Sequence, residues 1–330
     1  MRILVTGSTG HLGEALMRLL PLHGHTGIGL DIAPGRFTDI VGSVTDSPLV
    51  HDLAKGCDAV LHTATLHKPH VATHARQAFV DTNVSGTLTL LEAAIAAGVA
   101  RFVFTSTTSA FGAALTPGPG EPAAWIDERV GSIPKNIYGV TKTAAEDLCA
   151  LFAQRHGLTC TVLRTSRFFP EEDDNRAIRE SFGDTNAKAN EFLYRRADIE
   201  DIALAHLAAL DRSAPSGFAR YVISATTPFR PSDLAARRRE PAAVVAAYYP
   251  SFAAVYEARG FSMFPDIGRV YVNEKARREL GWQPHYDFAR ILEQLAADQP
   301  IGSALARAVG SKGYHSEIFA DGPYPVDTAS

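Results

Sequence analysis

The chain has 330 residues, a formal net charge of −4, 46% apolar residues and 21% charged residues, which suits a globular protein able to bury one large α/β core, with or without a smaller lobe. The slight acidity gives no reason to expect nucleic acid or an anionic membrane surface as a partner, no apolar run approaches a membrane span, and Met1–Val5 is too short for a signal peptide. Cys57, Cys149 and Cys160 have neither metal-ligand spacing nor a disulfide pattern, so they are expected to be buried small residues of a cytoplasmic protein.

Residues 2–6 form a short apolar run suited to a buried parallel strand. A glycine-rich turn follows, then a helical pattern through Leu12, Leu16, Leu19 and Leu20. Strand-like runs recur at 27–32, 58–63, 101–106 and 159–164, with helical patterns between them, clearest at 75–97 and 135–156. This alternation predicts an α/β fold, a doubly wound parallel sheet with right-handed crossovers. Beyond Arg164 the order loosens. Residues 165–197 are polar and mixed, 198–211 suit a helix and 219–224 a strand. Residues 226–270 carry prolines, aromatics and the triplet Arg237-Arg238-Arg239, expected to be the solvated face of a helix. Residues 274–297 suit one more helix, and the tail from Gly310 an irregular coil. The predicted organisation is a dinucleotide-binding domain of residues 1–164, 198–225 and 271–300, a smaller substrate lobe of the discontinuous segments 165–197 and 226–270, and a C-terminal tail, 301–330.

The first turn reads Thr6-Gly7-Ser8-Thr9-Gly10-His11-Leu12-Gly13, between a strand and a helix. Gly7 permits a tight turn, Gly10 a close backbone approach to a pyrophosphate, and Gly13 close packing of helix on sheet. The helix N-terminus then offers unpaired N–H groups to phosphates. Asp31, followed by Ile32, ends the next strand. A carboxylate there accepts the ribose hydroxyls of NAD and repels the 2′-phosphate of NADP, so NAD is the expected cofactor. Arg36 leaves NADP as a disfavoured alternative.

Tyr138 and Lys142 lie four apart on a predicted helix and share a face. A nearby ammonium favours the phenolate, which equips Tyr138 to exchange a proton with an alcohol or ketone. The strand end Thr105-Ser106-Thr107-Thr108-Ser109 puts hydroxyls at the carboxyl edge of a parallel sheet, where ligands bind.

These motifs, with Val60-Leu61-His62-Thr63-Ala64, Asn83-Val84-Ser85-Gly86-Thr87, Leu163-Arg164 and Arg277-Arg278-Glu279-Leu280-Gly281-Trp282, resemble the extended short-chain dehydrogenases/reductases, which include nucleotide-sugar epimerases and dehydratases. The resemblance spans most of the chain and implies a Rossmann fold and roles by position. Tyr138 would be the acid/base, Lys142 would hold the nicotinamide ribose and tune Tyr138, Thr107 would orient the substrate oxygen, and Asn83 would support hydrogen bonds around the cofactor. Gly7, Thr9, Gly10, His11, Leu12 and Gly13 would hold the pyrophosphate with Thr63, Ala64 and Thr65, Ser43 and Val44 would lie by the adenine, and Thr165 near the nicotinamide. A homodimer through the helices at 138–156 and 75–97 is also implied.

Departures from the family pattern bear on the substrate. Thr107-Thr108-Ser109 lacks the carboxylate of the dehydratases, Arg167 stands where epimerases usually have Asn, and Met263-Phe264 replaces an expected basic residue. Arg167, Arg195, Arg196 and Arg269 remain able to meet an anion. His62, His67, His70 and His74 cluster around one loop. No third ligand of suitable spacing makes this a metal site, and His67 with Lys68 is expected to line the substrate pocket alongside Thr108, Arg167 and Arg269. The expected function is NAD-dependent hydride transfer at a secondary alcohol or ketone carbon of a small polar or sugar-like molecule. The alternatives are a nucleotide-sugar epimerase that keeps its NAD and a catalytically silent NAD-sensing protein.

Overall fold

The computed structural model describes residues 1–212, 217–313, 315, 319, 322 and 324. Its main sheet has seven parallel strands in the order β3-β2-β1-β4-β5-β7-β8. These are β1 (Arg2–Thr6), β2 (Thr26–Asp31), β3 (Ile40–Val41), β4 (Ala59–His62), β5 (Arg101–Thr107), β7 (Thr159–Thr165) and β8 (Phe218–Ile223). A separate pair, β6 (Ala124–Ile126) and β9 (Arg269–Tyr271), is also parallel. The chain winds outward from β1 to β3, then returns to place β4 on the other side of β1. That reversal opens a crevice at the carboxyl ends of β1 and β4, where ligands of such sheets bind.

Side-chain alternation explains why the strands read as continuous apolar runs. Ile3 and Val5 of β1 and Leu61 of β4 face one core, and Leu4 and Val60 face the other. Both faces are covered, as a parallel sheet requires. Helices His11–Leu19 and Ile199–Asp211 pack on the first face. Helices Ser47–Ala54, Gly86–Ala96 and Ile137–His156 pack on the second. Cys57, Cys149 and Cys160 are buried free thiols in this second core.

The helix expected over 75–97 runs from Arg76 to Ala96, but Val80–Ser85 is a π-helical turn between two α-helical stretches. Such insertions are found at functional positions, and this one carries Asn83. The helix expected over 274–297 is two helices, Glu274–Leu280 and Phe288–Ala296. Gly281 takes the left-handed conformation (φ 64°), which closes the first helix, and Pro284 denies the next turn its N–H donor. Helix Phe288–Ala296 packs Phe288, Ile291 and Leu295 against Phe192, Phe229, Phe252 and Tyr256 in an apolar cluster apart from the sheet. Strands β3, β6 and β9 are only two or three residues long, too short to show a periodicity.

The arginine triplet departs from a solvated helix face. Arg237 is fully buried, with its guanidinium 4.3 Å from the Phe229 ring centre and donating to the Ile267 carbonyl at 2.8 Å. Arg238 pairs with Asp266 at 2.5 Å, and Arg239 is exposed. A planar, weakly hydrated guanidinium can stack on an aromatic face and bond carbonyls, which lets this segment fasten the approach to β9. The tail expected from 301 begins with a short helix, Ala304–Val309, and several of its later residues lie outside the described set.

Candidate active site

A cleft of about 860 Å³ runs along the carboxyl edge of the sheet. Its walls bring together Gly7, Thr9, Gly10, His11, Leu12, Gly13, Asp31, Ile32, Ser43, Val44, Thr63, Ala64, Thr65, Thr107, Tyr138 and Thr165. The five residues expected on the substrate side, His67, Lys68, Thr108, Arg167 and Arg269, line it as well. Asn83 and Lys142 do not; both lie behind the wall, 1% exposed.

The glycine loop has the shape its residues predict. Gly7 has φ 74°, and a Cβ there would meet Ala64 N and Thr63 Oγ1 at 2.8 Å. A Cβ on Gly13 would come within 1.9 Å of the Gly7 carbonyl, so only glycine lets the helix sit this close to the turn. Helix His11–Leu19 starts without a side-chain cap, leaving its first N–H groups to face the cleft, a fit for a pyrophosphate. Asp31 accepts from Thr9 N at 2.9 Å and from Ala33 N at 3.0 Å, one bond to each carboxylate oxygen. Each oxygen keeps lone-pair capacity for a hydroxyl. Ser43 is bonded locally, its hydroxyl 2.7 Å from that of Thr45.

His62, grouped by sequence with the other loop histidines, is a core residue instead. Only one assignment of protons satisfies its contacts. Ala64 N donates to Thr6 Oγ1 (3.2 Å), whose hydroxyl donates to His62 Nδ1 (2.8 Å). His62 Nε2 donates to Thr87 Oγ1 (3.0 Å), which donates to the Asn83 carbonyl (2.7 Å). Burial, with a smaller effect from Lys142, holds the ring well below the usual histidine range, so it stays neutral and ties β1 and β4 to the π-helical turn.

From that turn, the Asn83 amide clamps two elements. Its oxygen accepts from Leu66 N and from Thr65 Oγ1, both at 2.9 Å. Its nitrogen donates to the Leu66 carbonyl (2.9 Å) and to Thr141 Oγ1 (3.0 Å). All four capacities of the amide are used within the protein. Asn83 is therefore a positioning residue that fixes the loop after β4 against the helix carrying Tyr138 and Lys142.

That helix, Ile137–His156, begins under the side chain of Asn136, which accepts from Gly139 N. Tyr138, Lys142 and Glu146 follow at four-residue intervals on one buried face. Burial pushes the Tyr138 phenol up to about 12, opposed by a hydrogen bond with Thr107. Thr107 is itself fixed by accepting from Ser109 N at 3.0 Å. Burial brings the Lys142 amine down to about 7 against the opposing charge of Glu146, and the nitrogen sits 4.0 Å from the Phe104 ring centre. The lowering of the Tyr138 pKa expected from Lys142 gives way to burial: loss of water dominates both groups, and each is shifted toward its neutral form. Glu146, fully buried, accepts from Ser106 Oγ (2.5 Å), Arg164 (2.7 Å) and Arg220 (2.9 Å).

The substrate side corrects the expectation of available cations. Arg167 pairs with Asp173 at 2.7 Å and lies 3.5 Å from Asp174 and 3.7 Å from Glu191. Arg195 pairs with Asp173 and Glu191, and Arg196 with Glu191 at 2.7 Å. Lys68 pairs with Asp174. Acidic residues of the polar stretch that follows Pro170 neutralise this wall. Arg269 differs, with guanidinium contacts to the carbonyls of Gly112 (3.3 Å) and Ala114 (3.5 Å) and to the hydroxyls of Thr116 and Tyr271. Where the sequence lacks an expected basic residue, Phe264 is buried and its ring packs edge-on against Phe182 at 4.8 Å.

The His67 ring lies 6.5 Å from the Tyr138 ring and 5.4 Å from that of Phe169. Burial holds its pKa well down. His70 and His74 stack edge-on at 4.9 Å, and among the described residues no group of three or more His, Cys, Asp or Glu side chains is arranged to hold a metal ion. Sequence reasoning missed Glu171, which pairs with His11 of the glycine loop at 2.9 Å and accepts from Ser311 Oγ at 2.7 Å. Burial raises the Glu171 carboxyl, but the His11 bond and charge prevail and hold it at about 2. Pairings across 140 or more positions leave no local signal.

A doubly wound sheet with a glycine loop, an acidic end to β2 and a buried Tyr–Lys face defines a dinucleotide-dependent class of protein. The chain belongs to the NAD dependent epimerase/dehydratase family, whose sequence profile matches residues 3–223. It is 28% identical over 203 residues to a uronate dehydrogenase of Pseudomonas syringae pv. tomato, covering 58% of this chain and 70% of that protein. It is 27% identical over 324 residues to a UDP-glucose 4-epimerase of Rhizobium meliloti, covering 88% and 94%. The match to a dTDP-glucose 4,6-dehydratase of Streptomyces niveus, 30% identical, covers 54% of this chain and spans 57% of that protein's length. A short-chain dehydrogenase/reductase superfamily protein from Agrobacterium tumefaciens, solved with bound NAD, superposes with a TM-score of 0.63 at 25% identity, covering 93% of this chain and 97% of that one.

The buried Lys142 has a stability signature. Its pKa is about 7 in the folded protein against 10.5 for the ordinary side chain. Between these values the unfolded chain binds more protons than the folded one, so stability rises with pH. Denaturant melts of the ligand-free protein from pH 7 to 9 should show wild type gaining on Lys142→Met by up to about 1.4 kcal/mol per pH unit. A difference between the two that is flat with pH contradicts the assignment.

Proposed function

We propose that the protein is an NAD-dependent oxidoreductase that moves a hydride to or from a secondary alcohol or ketone carbon of a small polar or sugar-like substrate and releases changed cofactor. The observation that carries this reading is the buried Tyr138, hydrogen-bonded to Thr107 one helical turn from Lys142, at a cleft whose other half has the glycine loop and Asp31.

In this reading Gly7, Thr9, Gly10, His11, Leu12 and Gly13 hold the pyrophosphate with Thr63, Ala64 and Thr65. Asp31 and Ile32 meet the adenosine ribose, Ser43 and Val44 the adenine, and Thr165 the nicotinamide end. NAD is preferred over NADP because the Asp31 carboxylate would repel a 2′-phosphate. Bound nicotinamide supplies the hydride acceptor or donor. Tyr138 handles the proton. In the reducing direction the neutral phenol gives its proton to the carbonyl oxygen as the carbon gains hydride. In the oxidising direction the phenolate takes the alcohol proton as hydride leaves. A phenol held at about 12 is suited first to donation, while the Thr107 hydroxyl and a protonated Lys142 favour the phenolate. Thr107 also orients the substrate oxygen.

Two features support net redox over dehydration or epimerisation. The β5 end has hydroxyls where a dehydratase needs a carboxylic acid, and the cations of Arg167, Arg195 and Lys68 are already paired, which weakens the case for a nucleotide diphosphate. The epimerase reading keeps two supports: the similarity to a UDP-glucose 4-epimerase over 94% of that protein's length, and the contact of Ser311 and Lys312 with Glu171 beside the glycine loop, which would slow release of a cofactor. The complete Tyr–Lys pair argues against a silent NAD-sensing role.

Mixing the protein with NAD and a panel of sugars, sugar acids and nucleotide sugars should raise the nicotinamide absorbance for a member without a nucleotide. Tyr138→Phe should lower turnover by about 10²- to 10⁴-fold, the usual worth of a general acid–base, while NADH affinity in calorimetry stays within about twofold. Turnover without an absorbance change contradicts net redox. A homodimer is proposed through the Ile137–His156 helix, where Val140 and Leu151, eleven positions apart and so on one face, are 50% and 46% exposed. Light scattering should give twice the chain mass, and Val140→Asp with Leu151→Asp should give the monomer.

A further inference from the structure

The cations that line the substrate half of the cleft fall into two groups. Lys68, Arg167, Arg195 and Arg238 each have a carboxylate partner. Among the described residues, Arg269 and Lys135 have none, and both line the cleft. They also lie on the same side. Arg269 donates to the carbonyls of Gly112 and Ala114. Gly112 bridges to Ile133, two residues before Lys135, and Ala113 N donates to the Ile133 carbonyl at 2.8 Å. The same loop starts at Thr107 and presses the Ser109 carbonyl against Gly139, beside Tyr138. One short segment thus links the proton-transfer residue to two uncompensated positive charges.

We propose that this corner, Arg269 with Lys135 at its rim, reads a single anionic group on the substrate, a carboxylate or a phosphate monoester, and so selects a small acidic sugar-like molecule over both a neutral one and a nucleoside diphosphate. This rests on the hydride-transfer reading above. The present contacts of Arg269 are long, 3.3–3.5 Å, and all to neutral oxygens. A guanidinium in that state has strength in reserve, because charge-assisted bonds to a carboxylate or phosphate are shorter and about twice as strong. The β6–β9 pairing fixes its backbone, with Arg269 opposite Ala124. A diphosphate would call for a second buried cation, and where the resembling family has a basic residue this chain has the buried Phe264, packed against Phe182 and Tyr194.

The test is calorimetry on the protein saturated with NADH, with glucose, glucuronate, glucose 6-phosphate and UDP-glucose as probes. At least one of the two singly substituted acids should bind about tenfold or more tightly than glucose, as expected for one charge-assisted pair. Which acid leads identifies the group as carboxylate or phosphate. UDP-glucose should bind no more tightly than the better acid. Arg269→Gln should abolish the acid's advantage over glucose while leaving NADH affinity unchanged. Lys135 is exposed and, among the described residues, forms no hydrogen bond or ion pair with the loop, so Lys135→Gln tests the charge without disturbing Thr107, and should weaken the acid about two- to fivefold. Acids that bind no better than glucose, an advantage that survives both substitutions, or tighter binding of UDP-glucose overturns the proposal. The hydride-transfer reading fails separately, on the absorbance assay: the anion preference can hold with no net NADH formed, and can fail while glucose is oxidised.

Discussion

Burying Lys142 is the constraint on which the rest of this site depends. An ammonium removed from water is costly, and the protein relieves that cost by lowering its pKa and surrounding it with compensating groups. The Phe104 ring lies against it, Glu146 sits one helical turn below, and Tyr138 one turn above. Each of these is fixed from outside. Glu146 is held by Ser106, Arg164 and Arg220, which join β5, β7 and β8 to the helix. Tyr138 is held by Thr107. Asn83 locks the helix at Thr141, the residue before Lys142, to the loop after β4. The Tyr138–Lys142 face is therefore part of the sheet's own cross-bracing, and its electrostatics follow from that burial.

A second consequence is a division of labour along the cleft. At the glycine-loop end, the cleft presents fixed backbone donors and one carboxylate, the set the proposed function gives to the dinucleotide. At the substrate end, Arg167, Arg195 and Arg196 are balanced by Asp173 and Glu191. A buried pair of this kind contributes little net stability, and removing one partner is costly because the other is left uncompensated. These residues shape the wall more than they attract a ligand, so the two cations outside the network gain influence over what binds.

Most of the fold was legible because parallel strands buried on both faces leave continuous apolar runs, and because Gly7, Gly13 and Asp31 sit at positions that admit few other residues. The Tyr138–Lys142 pair was legible from helical spacing taken together with the glycine loop and the hydroxyl-rich strand end before it. Its protonation was not, because the pKa of each group depends on burial that spacing does not encode. Nor was the state of Arg167 or Lys68 legible: their partners lie on a loop whose path is set by tertiary packing. His62 falls in the strand expected over 58–63, but its partners were hidden for the same reason. Its neighbours in sequence suggested a loop cluster, while its bonds to Thr6 and Thr87 come from a strand and a helix 56 and 25 positions away. Arg237 misled because charge usually marks a solvated face, and only the Phe229 ring and the Ile267 carbonyl, distant in sequence, make a buried guanidinium tolerable.

In the proposed oxidation hydride passes from the substrate carbon to the dinucleotide, which then departs, while Tyr138 takes the hydroxyl proton. The most direct measurement uses a turned-over substrate carrying deuterium on the reacting carbon, with mass spectrometry of both the released dinucleotide and the product. The account predicts one deuterium in the dinucleotide free in solution and none on the oxidised carbon. Deuterium retained in an epimerised product, or lost to water, would contradict it.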